Sequence, residues 1–263
     1  LPGSKKMLID QGQYELTILI WLIIAISTFI LLMFIRAPYG RHERPGWGPR
    51  LPSRIGWIIM ESPCILIMTV FFGFGVTKWS VIDFTAITFY TMWIAHYIHR
   101  SWVWPARARI TGKRMPFSIV LFAVAFNSIN SWINAEWLYS LHHPYPSSWL
   151  YSPQFVIGLV LFLIGMSINI KSDNILFSLR HDGKTDYKIP NKGLFKWVSC
   201  PNYFGEIIEW CGWALATWSL AGLSFAIWGM ANLIPRARSN HKWYLKNFSD
   251  YPVERKILIP KIW

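Results

Sequence analysis

Between Leu16 and Ile35 the chain runs for twenty residues without a charged side chain. At about 1.5 Å of rise per residue, a helix of that length crosses the ~30 Å hydrocarbon layer of a bilayer. Residues 55–76 repeat the pattern with a single acid, Glu61. A soluble core helix seldom needs so long an apolar run, so the chain reads as an integral membrane protein. Apolar runs and breakers place spans near 16–35, 55–76, 81–98, 117–139 and 154–177. A further apolar stretch, 203–235, is too long for one untilted crossing. Gly222, beside Ser219 and Ser224, is the expected turn within it, which gives spans 203–219 and 220–235.

Charge supports this count independently. Segments 36–54, 99–116 and 178–200 carry five Lys/Arg each, and the tail 236–263 carries seven. The alternate connections are nearly bare, with Lys78 alone in 77–80 and no basic residue in 140–153. By the positive-inside rule the basic loops and the tail face the cytoplasm and the N-terminus lies outside. For 178–200 and the tail to share a side, the stretch between them must cross twice. The expectation is one all-α membrane domain over residues 1–263 with seven transmembrane helices. It would reside in the endoplasmic reticulum of a eukaryote or the inner membrane of a bacterium. The net charge of +13 is concentrated in these loops, which argues against a nucleic-acid partner. No obligate protein partner is evident. The leading Leu-Pro-Gly-Ser reads as a cloning remnant, with Met7 the expected native start. Cys64, Cys200 and Cys211 have no paired spacing that would indicate a disulfide framework or a metal site.

Acids in or beside spans are informative, since each costs ~2.5–3.5 kcal/mol near the bilayer centre. Asp83 and Glu136 are placed near span ends, where water would solvate them. Glu61 and Glu206 are not so easily excused. Helical geometry groups Asn169, Asp173 and Arg180 on one face, and Asn202, Glu206 and Glu209 on another. A polar stripe in lipid faces either a partner helix, as hydrogen-bonding glue, or a wet cavity. The string His96-Tyr97-Ile98-His99-Arg100 ends a span on the basic side, where an aromatic and basic membrane anchor is the simplest reading. His96 with His99, or His142 with His143, could share a metal. A membrane di-iron centre needs about eight histidines on one side, however, and the chain has seven in all. No metal is expected. Gly73-Phe74-Gly75 lacks the third glycine of a dinucleotide fingerprint and lies inside a span.

Taken in order, several rare strings resemble the steroid 5-alpha-reductase family. They are residues 96–100, Gly165–Asp173, Tyr187–Pro190, Gly193–Phe195, Asn202–Trp210, Ala214–Leu220, Tyr244–Lys246 and Asp250–Pro252. The resemblance implies a seven-helix fold closing around a cavity for NADPH and substrate, and reduction of the 4,5 double bond of 3-oxo-Δ4 steroids. It places the catalytic pair at Glu61 and Tyr97. Cofactor positions follow at Asn169, Asp173, Arg180, Tyr187, Asn202, Glu206, Arg236 and Tyr244, with Arg100 and either Lys113 or Arg114 in the phosphate-contacting role. The two stripes contain five of the first eight. Met60 and Asn240 depart from the family pattern. The expected mechanism is hydride transfer to C5, with Tyr97 and a protonated Glu61 donating hydrogen bonds to the C3 oxygen and Ile58, Ile59 and Leu66 surrounding the acid. Related readings are a sterol, polyprenol or enoyl-CoA reductase and an isoprenylcysteine-type methyltransferase binding S-adenosylmethionine. A small transporter is disfavoured by the lack of a repeat between halves.

Topology is testable directly. Introduced cysteines at positions 45, 110 and 188 and at the C-terminus should label from the cytoplasmic side, and one at 145 from the other. Labelling of 188 and the C-terminus from opposite faces would contradict a double crossing between them.

Overall fold

The computed structural model describes residues 9–79, 83–142, 144–179 and 187–263. Seven long helices dominate them. They are α1 (Gln11–Phe34), α2 (Ser53–Trp79), α3 (Phe84–Ile98), α5 (Phe117–Glu136), α6 (Pro153–Ser178), α7 (Pro201–Thr217) and α8 (Leu220–Asn247). A π-helical turn, His99–Val103, continues α3 into the short α4, Trp104–Arg107. A second π-helical turn, Trp137–Leu141, extends α5. Four helical stretches are long and apolar enough to cross a membrane: Gln11–Phe34, Ser53–Trp79, Phe117–Leu141 and Pro153–Ser178. Their large apolar side chains point outward, including Leu16, Ile20 and Ile23 of α1 and Val156, Val160 and Leu163 of α6. An exposed apolar belt of that extent suits lipid rather than water.

The expected spans overlap the observed helices closely, with three differences. The break between α7 and α8 falls at Trp218-Ser219, not at Gly222. Trp218 takes a left-handed φ of 45°, and the Ser219 hydroxyl accepts from Gly222 N at 3.0 Å to cap α8. Gly222 is instead a contact residue, where a Cβ would lie 2.5 Å from Thr217 Oγ1. Second, α8 runs on through Pro235 to Asn247, so much of the expected tail is helical. Third, a two-stranded antiparallel ribbon breaks the all-α expectation. β1 (Arg50–Pro52) pairs with β2 (Arg114–Pro116), with Leu51 opposite Met115, and ties two of the basic loops together. A parallel bridge between Val198 and Lys256 ties the third loop to the tail. Of the expected span 81–98, residues 81 and 82 lie outside the described part.

The helices that begin at the sparsely charged end carry side-chain caps. Asp10 and Gln13 form a reciprocal capping box on α1. Asp83, Ser152 and Ser219 cap α3, α6 and α8. Asp83 thus meets an N-terminus and the Ser147 hydroxyl at 2.7 Å. Glu136, expected to be wet, is fully buried, because Tyr14 of α1 covers that end of α5 and donates to Ile133 O at 2.8 Å. His142 stacks on Tyr145 at 4.5 Å, and His143 lies outside the described residues.

Packing is tightest between α6 and α7. They run antiparallel, with Gly158 and Gly165 of one against Gly205 and Gly212 of the other. A Cβ at Gly165 would stand 2.3 Å from Glu209 N, one at Gly158 2.4 Å from Ala216 N, and one at Gly212 2.4 Å from Phe162 N. Small residues let membrane helices touch backbone to backbone, where dispersion and not hydrophobicity drives association. Around this pair Trp93, Phe89, Phe162 and Trp213 form the main core. A second core, with Trp21 and Trp228 4.7 Å apart, seats α1 on α5 and α8.

Gly165→Ala should lose about 1–3 kcal/mol of stability, since its methyl meets backbone that cannot yield. Gly73→Ala, where nothing lies within 4 Å, should gain up to about 1 kcal/mol from helix propensity. Thermal midpoints in detergent check both, and equal behaviour of the two variants would refute the close-contact account.

Candidate functional site

The α6–α7 contact places the two polar stripes face to face. Asn169 Nδ2 donates to Asn202 O at 3.1 Å and to Glu206 Oε2 at 3.2 Å. Asn202 Nδ2 donates to Asp173 Oδ1 at 3.2 Å. The stripes therefore bond each other, as the glue reading allowed. They also recruit a third element, for Trp104 Nε1 donates to Asp173 Oδ2 at 2.7 Å.

The π-helical turn after α3 delivers Arg100 to this group. One extra residue in a helical turn re-aims the side chains beyond it, and such turns favour functional positions. Arg100 lies over Trp57 at 4.6 Å and Trp104 at 5.3 Å. Its Nε stands 4.0 Å from Glu61 Oε1, and it lies within electrostatic reach of Glu206 and Asp173. One guanidinium thus joins the acid of α2 to the stripes of α6 and α7.

Glu61 is held from its other oxygen. Asn127 Nδ2 of α5 donates to Glu61 Oε2 at 3.2 Å and to Met60 O at 2.6 Å. Ile58, Ile59 and Leu66, expected to surround the acid, are outward-facing. A straight helix cannot bury residues on every face at once, so interior neighbours from α5 and the π turn enclose Glu61 instead. Met60 itself is buried with Met115 and Val120. Tyr97 is 3% exposed, which rejects the interfacial-anchor reading. Its ring is 5.0 Å from Trp93 and 5.9 Å from Trp210, and its hydroxyl lies beside the Cys64 thiol, one turn beyond Glu61. The two residues singled out from α2 and α3 therefore share one interior face.

A second group forms at the basic end. Arg41 lies over three rings, Tyr187 at 5.0 Å, Trp243 at 4.8 Å and Tyr244 at 4.7 Å. Its Nη2 donates to the Tyr244 hydroxyl at 3.3 Å, while Nη1 is buried without a hydrogen-bond partner among the described residues. Burial lowers the Arg41 value, but Tyr244, Cys200 and Tyr203 together outweigh it and hold the group above the ordinary arginine range. Lys113 approaches the Tyr187 ring at 5.4 Å. Arg114 instead donates to Arg50 O at 2.6 Å from the exposed ribbon. Arg236 lies 3.7 Å over Tyr39, and Gly40, with φ +65°, brings the backbone alongside it. Asn240 bonds His42 Nε2 at 3.2 Å, and burial holds that imidazole below its ordinary value.

Of the expected site residues, the structure joins Glu61, Tyr97, Arg100, Asn169, Asp173, Asn202 and Glu206 around the interior face. Tyr187, Arg236 and Tyr244 fall in the basic-end group, and Arg180 lies outside the described residues. Sequence reading missed Arg41, Asn127, Trp104 and Trp243. Arg41 was counted only as loop charge, although Tyr39-Gly40-Arg41-His42 is a short polar string that could have drawn notice.

Comparison with known proteins identifies the family. Residues 113–263 match the family model described as 3-oxo-5-alpha-steroid 4-dehydrogenase. The chain is 41% identical over 258 residues to steroid 5-alpha-reductase DET2 of Gossypium hirsutum, covering 97% of this chain and 99% of the relative. It is 39% identical to the DET2 protein of Arabidopsis thaliana over 97% of this chain and 98% of the relative. It is 40% identical to 3-oxo-5-alpha-steroid 4-dehydrogenase 1 of Bos taurus over 90% and 92% of the two chains. With a match over more than half its length and relatives near 40% identity end to end, the chain belongs to the 3-oxo-5-alpha-steroid 4-dehydrogenase family of oxidoreductases.

Proposed function

We propose that the protein is a membrane-embedded steroid 5-alpha-reductase that uses NADPH to reduce the 4,5 double bond of 3-oxo-Δ4 steroids. The observation that carries this reading is the placement of Glu61 and Tyr97 on one interior face beside Arg100 and the facing Asn169–Asp173 and Asn202–Glu206 stripes. Curated relatives bearing that activity in their names support the substrate class. All seven long helices are taken to cross the membrane as one domain, with the basic end cytoplasmic. The alternation of basic and bare connections supports this.

The residues fit a dinucleotide on two counts. Arg41 has a buried, unpartnered Nη1, and among the described residues neither Arg41 nor Arg236 pairs with a carboxylate. Cations without acids, set on aromatic rings, suit phosphates and a stacked base. Arg41, Lys113, Arg236, Tyr187, Trp243 and Tyr244 would hold the nucleotide end. Asn169, Asp173, Asn202 and Glu206 would hold ribose hydroxyls and the nicotinamide amide, and Arg100 the bridge between ends. When bound, the cofactor supplies a hydride.

The chain's own contribution is to the C3 oxygen of the steroid. Addition at C5 drives the double-bond electrons onto that oxygen as an enolate. Tyr97 donates its hydroxyl proton in a hydrogen bond to it. Glu61 does the same as the neutral acid, with Asn127 occupying Oε2 and leaving Oε1 to carry the proton. Donors fixed in a water-free site need no reorganisation as charge develops. The surrounding Trp93, Trp210 and Phe162 exclude water from that face. Protonation at C4 completes the reduction.

Tyr97→Phe and Glu61→Gln should each remain folded and bind NADPH while turnover falls by roughly two to three orders of magnitude, the loss of one oxyanion donor. Glu61→Ala should lose more than Glu61→Gln, because an amide still donates. Product analysis at C5, with turnover counted per mole of cofactor-binding protein, reads this out; wild-type turnover in both conservative variants would refute the assignment. For the cofactor, Arg41→Ala and Arg236→Ala should raise KM for NADPH by about tenfold or more, each removing a charge-assisted bond, and narrow its advantage over NADH. Equal use of both nucleotides by the unmodified protein would remove the phosphate-binding role.

A further inference from the structure

A buried histidine–carboxylate pair between α3 and α7 takes no part in the proposed chemistry. His96 Nδ1 meets Glu209 Oε1 at 2.7 Å, with the two side chains 8% and 1% exposed. The other carboxylate oxygen, Glu209 Oε2, is buried without a hydrogen-bond partner among the described residues. A carboxylate withdrawn from water with half its acceptors unused is costly unless the remaining link does something specific. Each partner is fixed from behind. Glu209 N is the atom a Cβ on Gly165 would strike at 2.3 Å, so the acid rides on the most rigid contact in the bundle. His96 is adjacent to Tyr97 on α3, the helix that ends in the π turn.

The aromatic rings show what the pair sets. The His96 ring lies edge-on to Trp210 at 4.5 Å and 62° and edge-on to Tyr97 at 4.9 Å and 77°. Trp210, next to Glu209 in sequence, leans over Tyr97 at 5.9 Å and 33°. His96, Tyr97 and Trp210 thus form a closed triangle that, among the described residues, the His96–Glu209 bond tethers to α7. We infer that His96 and Glu209 are positioning residues that aim the Tyr97 hydroxyl at the substrate oxygen. The inference rests on Tyr97 being the donor. The physical reason is that a phenol on a helix keeps ring freedom unless its neighbours lock it, and a small misplacement of a catalytic group costs up to about 100-fold in rate.

A double-variant cycle tests this in the full-length protein loaded with NADPH. Glu209→Ala should lower kcat by about 10- to 100-fold and leave KM for the steroid within about twofold. Glu209→Gln keeps an oxygen acceptor for His96 and should recover most of the loss. Added to Tyr97→Phe, Glu209→Ala should cost little more, because the group it aims is already gone. NADPH affinity, read from tryptophan fluorescence without turnover, should stay unchanged throughout. If Tyr97→Phe is impaired as expected but Glu209→Ala still exerts its full loss upon it, the positioning role is wrong and the Tyr97 assignment stands. If Tyr97→Phe turns over normally, the assignment fails and takes this inference with it. A Glu209→Gln variant as slow as Glu209→Ala, or a loss of NADPH affinity that tracks kcat, also overturns it. Should Glu209→Ala not accumulate, the same cycle with His96→Leu, which breaks the pair from the other side, gives the decision.

Discussion

Where α6 and α7 meet, main chain touches main chain at Gly158, Gly165, Gly205 and Gly212, with no side chain between them. Lipid offers helices little reason to associate beyond packing and hydrogen bonds, so the closest backbone contact in the bundle acts as its reference. The glycines of each helix are seven residues apart, two turns on one face, and the antiparallel run sets Asn169 beside Asn202 and Glu206 without further adjustment. Shift that register and the stripes would face lipid. The site depends on it before any other element does.

Two irregularities then bring the remaining elements to this pair. The π turn at His99–Val103 lets Arg100 reach Glu61 while Trp104 reaches Asp173, two tasks a regular turn would aim differently. The ribbon between β1 and β2 draws the loops after α1 and α4 together and carries Lys113 towards Tyr187. Both occur at the basic end. The opposite end is finished by helix caps, which satisfy backbone donors. The proposed cofactor residues thus gather at one end of the bundle, while structural closure is completed separately at the other.

The cationic group at the basic end also has a physical logic of its own. Arg41 and Arg236 rest on rings, and among the described residues neither pairs with a carboxylate. Arg100, deeper in, is surrounded by Glu61, Glu206 and Asp173 instead. The first arrangement suits an anion from outside. The second also ties the acids of three helices to one guanidinium. One basic residue type serves two purposes, and only its neighbours distinguish them.

The membrane class, the order and approximate limits of the helices, and the two polar stripes were legible in the amino-acid sequence. Those follow from local chemistry: an uncharged run of twenty residues has few other fates, and helical periodicity places 169 with 173 and 202 with 206. The sequence also carried the family strings that pointed to Glu61 and Tyr97. It did not reveal the rings around Arg41, the Asn127 bond to Glu61, the separate placement of Lys113 beside Tyr187 and Arg114 in the ribbon, or the burial of Glu136. Each depends on which helix faces which across more than sixty residues of chain. The turn at Trp218-Ser219 escaped for a related reason: glycine permits a turn but does not require one, and Gly222 was needed for close contact with Thr217. These points came from the packed bundle, because interior neighbours are set by contact between helices, and such contact is not periodic along the chain.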